Sequence, residues 1–193
     1  VLIWGATGGL GVYAIQLAKM AGAKVCAVVN SKKKSKRARE LGADFVINRS
    51  EGIFNDLVDR SGNPNLIQWG VAKRTLKKMG IPEIDVVFEH VGRQTLGFSI
   101  YLLKRGGRVV TCAASSGYNA VIDLRYLWME LKSLIGSHFA NNHEANQALK
   151  LVDSGTIKPI VDSVNPMMHI GEKLDSMYRG ENIGKIVLNN EDI

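Results

Sequence analysis

The sequence predicts an α/β fold in which one parallel sheet carries helices on both faces. Short apolar runs rich in β-branched residues alternate with helical patterns along the whole chain. These runs lack strict alternation of apolar and polar residues, as expected of strands that are buried on both faces. A glycine-rich turn follows the first run. Strand–helix–strand units of this spacing are right-handed and place successive strands in one parallel, doubly wound sheet.

Each element is predicted from its own pattern, in chain order. Apolar runs predict strands over residues 1–4, 24–29, 45–47, 84–89, 108–113, 134–139 and 185–188. Helical spacing predicts helices over residues 10–21, 31–41, 94–103, 124–131, 143–153 and 171–178, with Gly42 and Gly155 as helix stops. Residues 53–80 are predicted to be helical in two pieces, separated by Gly62-Asn63-Pro64.

The composition limits the possible classes of protein. A chain of 193 residues with 46% hydrophobic residues can bury one core, which excludes a disordered tail. No apolar run approaches the ~18 residues of a membrane span, so we expect no contact with a membrane. Both cysteines lie in apolar runs, which favours buried thiols in the reducing cytoplasm. The absence of CxxC and HExxH patterns predicts no metal site.

The first glycine-rich segment predicts a dinucleotide site. Gly5-Ala6-Thr7-Gly8-Gly9-Leu10-Gly11 is a GAxGGxG variant between a strand and a helix. Glycines at this position allow a tight turn and a close approach of the backbone to a pyrophosphate, which then faces the helix N-terminus. We therefore expect a Rossmann-type domain in which Gly8, Gly9, Leu10 and Gly11 contact the cofactor.

The end of the second strand predicts NADPH rather than NADH. No Asp or Glu stands there to accept from the ribose 2′-hydroxyl, the usual arrangement for NAD. Asn30 and Ser31 can donate hydrogen bonds to a 2′-phosphate, Lys34 can supply charge, and Arg49 follows the third strand. The alternative is that the lysines of this segment form a solvated helix face.

The charge distribution supports a phosphate ligand. The net charge is +7, and six of the eight residues from Lys32 to Arg39 are basic. A basic cluster beside a nucleotide motif indicates a small phosphorylated ligand, so we expect no nucleic-acid partner. A binding module for RNA stays open as an alternative, which electrophoretic mobility and its salt dependence would distinguish.

Four motifs carry a resemblance to a known family. They are residues 88–97 (FEHVGRQTLG), 111–118 (TCAASSGY), 125–129 (RYLWM) and 135–141 (IGSHFAN). In this order and spacing they resemble the crotonyl-CoA carboxylase/reductase family, in the zinc-free branch of the medium-chain dehydrogenase/reductase superfamily. The resemblance implies NADPH-dependent reduction of an α,β-unsaturated acyl-CoA with addition of CO2 at Cα, in a homo-oligomer. Val91 and Asn142-His143 depart from the family pattern, so a reductase-only enoyl-CoA or quinone reductase is the alternative.

The resemblance and the positions of the strand ends together predict the remaining site residues. Ligands bind at the carboxyl ends of parallel strands, where His90 and the small residues Ala113, Ser115 and Ser116 are expected near the nicotinamide. His138 ends the sixth predicted strand and is the expected catalytic residue. Asn141, Arg125 and Tyr126 are the expected substrate-binding residues, the last two for CoA. For most of these residues a structural role is the alternative.

The domain organisation is also an expectation. Because Val1 already lies in a core strand, we expect the chain to be part of a longer protein. Residues 1–183 would form the NADPH-binding domain, and residues 184–193 a strand that returns to a GroES-like catalytic domain. The chain alone would then supply one wall of the active-site cleft and have little or no activity.

Overall fold

The computed structural model describes residues 1–52 and 54–190. Its strands are β1 (Leu2–Ile3), β2 (Cys26–Val29), β3 (Phe45–Asn48), β4 (Ile84–Glu89), β5 (Leu103–Thr111), β6 (Ser133–Gly136), β7 (Val161–Pro166) and β8 (Lys185–Asn189). Its α-helices are α1 (Gly11–Met20), α2 (Lys32–Glu40), α3 (Leu66–Lys78), α4 (Leu96–Leu102), α5 (Leu124–Trp128), α6 (Asn142–Asp153) and α7 (Ile170–Tyr178). Single 3-10 turns cover Arg49–Glu51 and Met167–His169.

The six-stranded sheet confirms the predicted doubly wound fold. Its strand order is β3-β2-β1-β4-β5-β6, and every neighbouring pair is parallel. The chain steps outward from β1 to β3, returns to the middle of the sheet, and then steps outward again from β4 to β6. A crevice opens at this reversal, beyond the carboxyl ends of β1 and β4.

The core explains why the apolar runs do not alternate. Leu2 and Ile3 are adjacent in β1 and point to opposite faces, yet both are fully buried. Leu2 packs with Trp4, Trp69 and Phe98 on one face, while Ile3 belongs to a second cluster with Ile15 on the other. Layers on both sides of the sheet therefore require apolar residues at consecutive strand positions.

The first predicted helical piece after residue 53 is wrong. Ile53 lies outside the described residues, and residues 54–65 form turns with an isolated antiparallel bridge between Val58 and Pro64. The Asp59 carboxylate accepts hydrogen bonds from the Asn63 backbone at 2.9 Å and side chain at 3.1 Å, which closes a turn in place of helix. The second piece is confirmed as α3.

The C-terminal region contains a strand that the sequence pattern did not indicate. Strand β7 pairs in parallel with β8 in a separate two-stranded sheet. Three of its six residues are polar and none is buried, so the strand carries no continuous apolar signal. The sixth predicted strand ends early, at Gly136, and the chain turns through Phe139 at φ +53°. No helix of the described residues is long and apolar enough to cross a membrane.

Candidate functional site

The glycine-rich loop packs α1 directly onto the end of β1. A Cβ atom on Gly11 would lie 2.4 Å from the Gly5 carbonyl oxygen and 2.5 Å from the Ala6 carbonyl carbon. Gly5 has φ +53°, and a Cβ there would lie 2.7 Å from the His90 ring. Both positions therefore require glycine, and the loop is held tight against the crevice.

The N-terminus of α1 is open for an anion. The N-cap residue, Leu10, provides no side-chain acceptor, and the first turn of the helix has no acidic residue. Within residues 1–52 and 54–190, the backbone N–H groups of Gly9, Leu10 and Gly11 have no hydrogen-bond acceptor. These donors and the positive end of the helix dipole fit a pyrophosphate.

The residues predicted to select the cofactor meet at the start of α2. Lys34 is buried except for 8% of its surface, and burial lowers the pKa of its ammonium group. The charge of Asp162 in β7 opposes this lowering of the pKa, and exposed Arg49 is close enough for its charge to add to it. The two cations, Lys34 and Arg49, therefore approach the same region. Ser31 is the N-cap of α2 and accepts from the Lys34 N–H at 3.3 Å, which assigns its side chain a structural contact as well.

Sequence reasoning missed Lys185. This residue begins β8, and its side chain lies over Gly9: a Cβ on Gly9 would be 3.0 Å from Lys185 Nζ. The adjacent Gly184 N–H donates to the Thr7 carbonyl at 2.9 Å. No spacing rule connects a lysine in the last strand to a loop near the first, so the sequence held no usable signal for this contact. Lys185 is positioned to attract a phosphate to the loop.

His90 and Glu89 end β4 and have different surroundings. His90 Nε2 lies 2.8 Å from the Trp4 carbonyl oxygen, and its ring packs on Phe88 with 5.8 Å between the ring centroids. Glu89 is fully buried. One of its oxygens accepts from Val91 N, Gly92 N and the Thr95 hydroxyl at 2.7–3.1 Å, and the other accepts from the Ser99 hydroxyl at 2.7 Å. Glu89 therefore fixes the loop that carries His90.

The loop after β5 is fastened to the loop after β4. Ser115 Oγ donates to the His90 carbonyl at 3.2 Å, and Ser116 Oγ donates to the Val91 carbonyl at 2.7 Å. Both hydroxyls thus have partners in the protein, while Ala113 is exposed. The structure therefore places Ser115 and Ser116 beside the loop of His90, where their hydroxyls hold the two loops together, and it places Ala113 in the lining of the hollow at the end of β5.

His138 lines a shallow hollow of about 410 Å³ at the carboxyl ends of β5 and β6. The hollow is also lined by Gly92, Cys112, Ala113 and Ser137, among others. The His138 ring is exposed and lies against Phe139, with 3.9 Å between the ring centroids. Burial and the nearby Glu89 carboxylate raise the pKa of the half-buried Cys112 thiol, which stays protonated at neutral pH and is a poor nucleophile.

The three predicted substrate-binding residues do not line this hollow. Asn141 is the N-cap of α6 and forms a capping box with Glu144, at 2.9 Å in both directions. Arg125 is exposed and forms a two-point ion pair with Asp123. Half-buried Tyr126 contacts Tyr101 edge-to-face at 4.9 Å between ring centroids. These contacts agree with the structural alternative and leave the Arg125 and Tyr126 surfaces accessible.

No metal site is assigned to the described part of the chain. Within it, no three His, Cys, Asp or Glu side chains lie close enough together to hold a metal ion. Cys26 is buried, and desolvation raises the pKa of its thiol to about 12, which disfavours the thiolate form that zinc binds. The residues present therefore do not fit a zinc centre.

Comparisons with known proteins identify the family of the chain. The family model described as zinc-binding dehydrogenase matches residues 9–154. The crotonyl-CoA reductase of Streptomyces avermitilis is 41% identical over 186 residues, which cover 96% of this chain and 42% of that protein. The crotonyl-CoA carboxylase/reductase of Cereibacter sphaeroides is 38% identical over 188 residues, covering 94% of this chain and 44% of that protein.

A solved structure extends the similarity to the fold. A 2-octenoyl-CoA carboxylase reductase in complex with NADP and 2-octenoyl-CoA superposes with a TM-score of 0.87 and 42% sequence identity. It covers 97% of this chain, which in turn spans 42% of that chain. The chain thus spans less than half the length of these relatives. It belongs to the zinc-binding dehydrogenase family of the medium-chain dehydrogenase/reductase superfamily, and within that family it is similar to the crotonyl-CoA carboxylase/reductases.

Proposed function

We propose that this chain is the NADPH-binding part of a reductive carboxylase of enoyl-CoA. The observation that carries the proposal is the N-terminus of α1, where the N–H groups of Gly9, Leu10 and Gly11 have no acceptor within residues 1–52 and 54–190 and the Lys185 side chain lies over Gly9. Lys34 and Arg49 lie near each other at the start of α2 and the end of β3. Gly8, Gly9, Leu10 and Gly11 would hold the pyrophosphate. Asn30, Ser31, Lys34 and Arg49 would surround the 2′-phosphate. The solved relative that binds NADP supports the same assignment.

A titration tests the choice of cofactor. We expect calorimetry to give tighter binding of NADPH than of NADH, because Lys34 supplies a charge that only the 2′-phosphate uses. Lys34→Met should weaken the binding of NADPH by about 1–2 kcal/mol, or roughly 5- to 30-fold in Kd, and should change the affinity for NADH little. Exposed Lys36, two residues later on α2, provides the matched control Lys36→Met, which should change neither affinity. Equal affinities, or tighter NADH, would contradict this assignment.

The whole enzyme's reaction follows from the resemblance and is part of the proposal. Bound NADPH would supply the hydride to Cβ of the enoyl-CoA, and the substrate carbanion at Cα would add CO2. The relatives named for crotonyl-CoA and 2-octenoyl-CoA support an acyl-CoA substrate. The proposal has three further parts. The full-length enzyme would be a homo-oligomer, and residues 184–193 would lead to a GroES-like catalytic domain. The enzyme would act in the cytoplasm, where the free Cys26 thiol stays reduced.

The residues of this chain would bind, orient and shield the reactants. The fastened loops after β4 and β5 would place His90, Ala113, Ser115 and Ser116 along the nicotinamide end of the cofactor. Arg125 and Tyr126 would contact CoA from the face beside Tyr101. His138, in the hollow at the strand ends, would hold CO2 directly or through water, while Asn141 would orient the loop that follows β6. Excluding water from this hollow would protect the carbanion from a proton.

His138 has a testable effect on the product ratio in the full-length enzyme. His138→Asn should lower carboxylation and raise simple reduction of the same enoyl-CoA, because the imidazole would contact CO2 and not the hydride path. Both products would be quantified from one NADPH-limited reaction with saturating bicarbonate. His143→Asn is the control, since His143 is also exposed and lies on α6, outside the lining of the hollow. If His138→Asn leaves the ratio unchanged, the residue is structural and the reductase-only alternative is favoured.

A further inference from the structure

One turn of the C-terminal region contacts two parts of the proposed cofactor site. This C-terminal turn, residues 179–185, leaves α7 and leads into β8. The Gly180 carbonyl accepts a hydrogen bond from Lys34 Nζ at 2.5 Å, and Gly184 N–H donates to Thr7 in the glycine-rich loop. The turn therefore joins the start of α2 to the loop that precedes α1.

The hydrogen bond from Lys34 leaves part of its ammonium group available. Across residues 1–52 and 54–190, the Gly180 carbonyl is its one hydrogen-bond acceptor. The Asp162 carboxylate of β7 is near enough for its charge to raise the pKa of the ammonium group, but within the same residues it forms no ion pair with Lys34. An ammonium group has three N–H donors, so two remain for a ligand. A lysine that is only 8% exposed normally has an anionic partner. The bound carbonyl holds the group in place, and the free donors favour an anion beside it.

The C-terminal turn is held by few contacts. From residue 155 to residue 190, the buried residues are Ile157, Ile183 and Gly184. Besides the turn itself, the Gln16 side chain fastens this region to α1 through the Lys158 backbone, at 3.0 and 2.8 Å. A segment with so little buried surface lies at the low end of local stability. Its position therefore depends strongly on each remaining contact, including the one to Lys34.

We propose that Gly180 is a positioning residue for cofactor selection, a role that rests on the proposed binding of NADPH. Its carbonyl holds the Lys34 ammonium group toward the 2′-phosphate. By linkage, a cofactor that binds the positioned ammonium group must in turn strengthen the docking of the C-terminal turn. NADPH carries the 2′-phosphate and has this effect; NADH lacks it and does not.

The test moves the turn and keeps every cofactor-contacting side chain. Gly180 has φ +65°, which alanine rarely adopts, and an added Cβ would lie 3.6 Å from Asn30 Nδ2. Gly180→Ala should lower the ratio of NADPH affinity to NADH affinity about fivefold or more. The matched control is Gly155→Ala just after the end of α6, where φ is +72° and no atom of the described residues lies within 4 Å of the added Cβ. Gly155→Ala places alanine at a similar positive φ, with a similar cost in backbone strain, and should leave the ratio of NADPH affinity to NADH affinity unchanged.

Hydrogen exchange of the unmodified chain gives a second readout. Saturating NADPH should slow exchange of the amides in residues 170–185, and saturating NADH should not. Equal protection by both nucleotides, or an unchanged affinity ratio in Gly180→Ala, overturns the positioning role. If the unmodified chain prefers NADPH in either case, the proposed function stands without it. A chain that binds neither nucleotide contradicts both proposals.

Discussion

Replacing Glu89 by alanine should lower the free energy of unfolding by about 3–5 kcal/mol, the scale of removing one partner from a buried charged network. The carboxylate accepts four hydrogen bonds while fully buried, from Val91 N, Gly92 N and the Thr95 and Ser99 hydroxyls. Alanine would leave all four donors without an acceptor and open a cavity beside them. Urea unfolding followed by tryptophan fluorescence measures the loss, because Trp4 and Trp69 are buried.

A second variant keeps the measurement possible if the alanine variant does not fold. In Glu89→Gln, the amide oxygen can take the place of Oε1 and accept from the same three donors. The amide NH2 then faces Ser99 Oγ. That hydroxyl already accepts from Trp4 Nε1 at 2.8 Å, so its own proton loses its acceptor. We expect a loss of about 1–3 kcal/mol. Exposed Glu83 provides the control Glu83→Ala, with almost no loss. A Gln variant as stable as the parent would show that the network does not fix the loop.

The strand pattern and the glycine-rich turn carried most of the fold prediction. Leu2 and Ile3 show why: burial on both sheet faces makes a strand apolar at every position, and this signal is visible in one short segment. Residues 54–65 show the limit. Phe54 packs against Trp4 and Phe98 at 5.4 Å between ring centroids, and the Leu57 carbonyl accepts from Trp69 Nε1 at 2.7 Å. Such distant partners outweigh local helix propensity and are not visible in local sequence.

Some residues of the candidate site could be predicted from the sequence, and others could not. Gly11, Lys34 and His90 were predictable because each follows a strand at a position where the fold brings ligands. Lys185 was not predictable, because it reaches Gly9 from β8, which pairs with β7, and β7 has no buried residue and no continuous apolar pattern. The contact of Ser116 was equally hidden, since the fastening of two loops depends on the final geometry. The N-cap roles of Ser31 and Asn141 had a local signal, because each polar residue precedes a helix and Asn141 stands three residues before Glu144, the capping-box spacing.

Gly11→Ala should abolish tight NADPH binding, with a loss of about 100-fold or more in affinity, because the added methyl group forces α1 away from the loop. The clash is with backbone: the new Cβ would lie 2.4 Å from the Gly5 oxygen and 2.6 Å from Ala6 Cα. No side-chain rotation can relieve it. The N–H groups of Gly9, Leu10 and Gly11 would move with the helix, so the whole pyrophosphate site would be displaced.

A control substitution at a helical glycine with free space around it distinguishes this clash from a general effect of replacing glycine by alanine. Gly171 lies in the first turn of α7, and in the part of the chain that the structure describes nothing is within 4 Å of its added Cβ. Gly171→Ala should leave NADPH affinity unchanged and stability equal or slightly higher, since alanine favours helix. Isothermal calorimetry, with circular dichroism to verify folding, measures both variants. A folded Gly11→Ala chain that retains parental NADPH affinity would mean that the pyrophosphate lies away from the N-terminus of α1, and the proposed cofactor site would have to be abandoned.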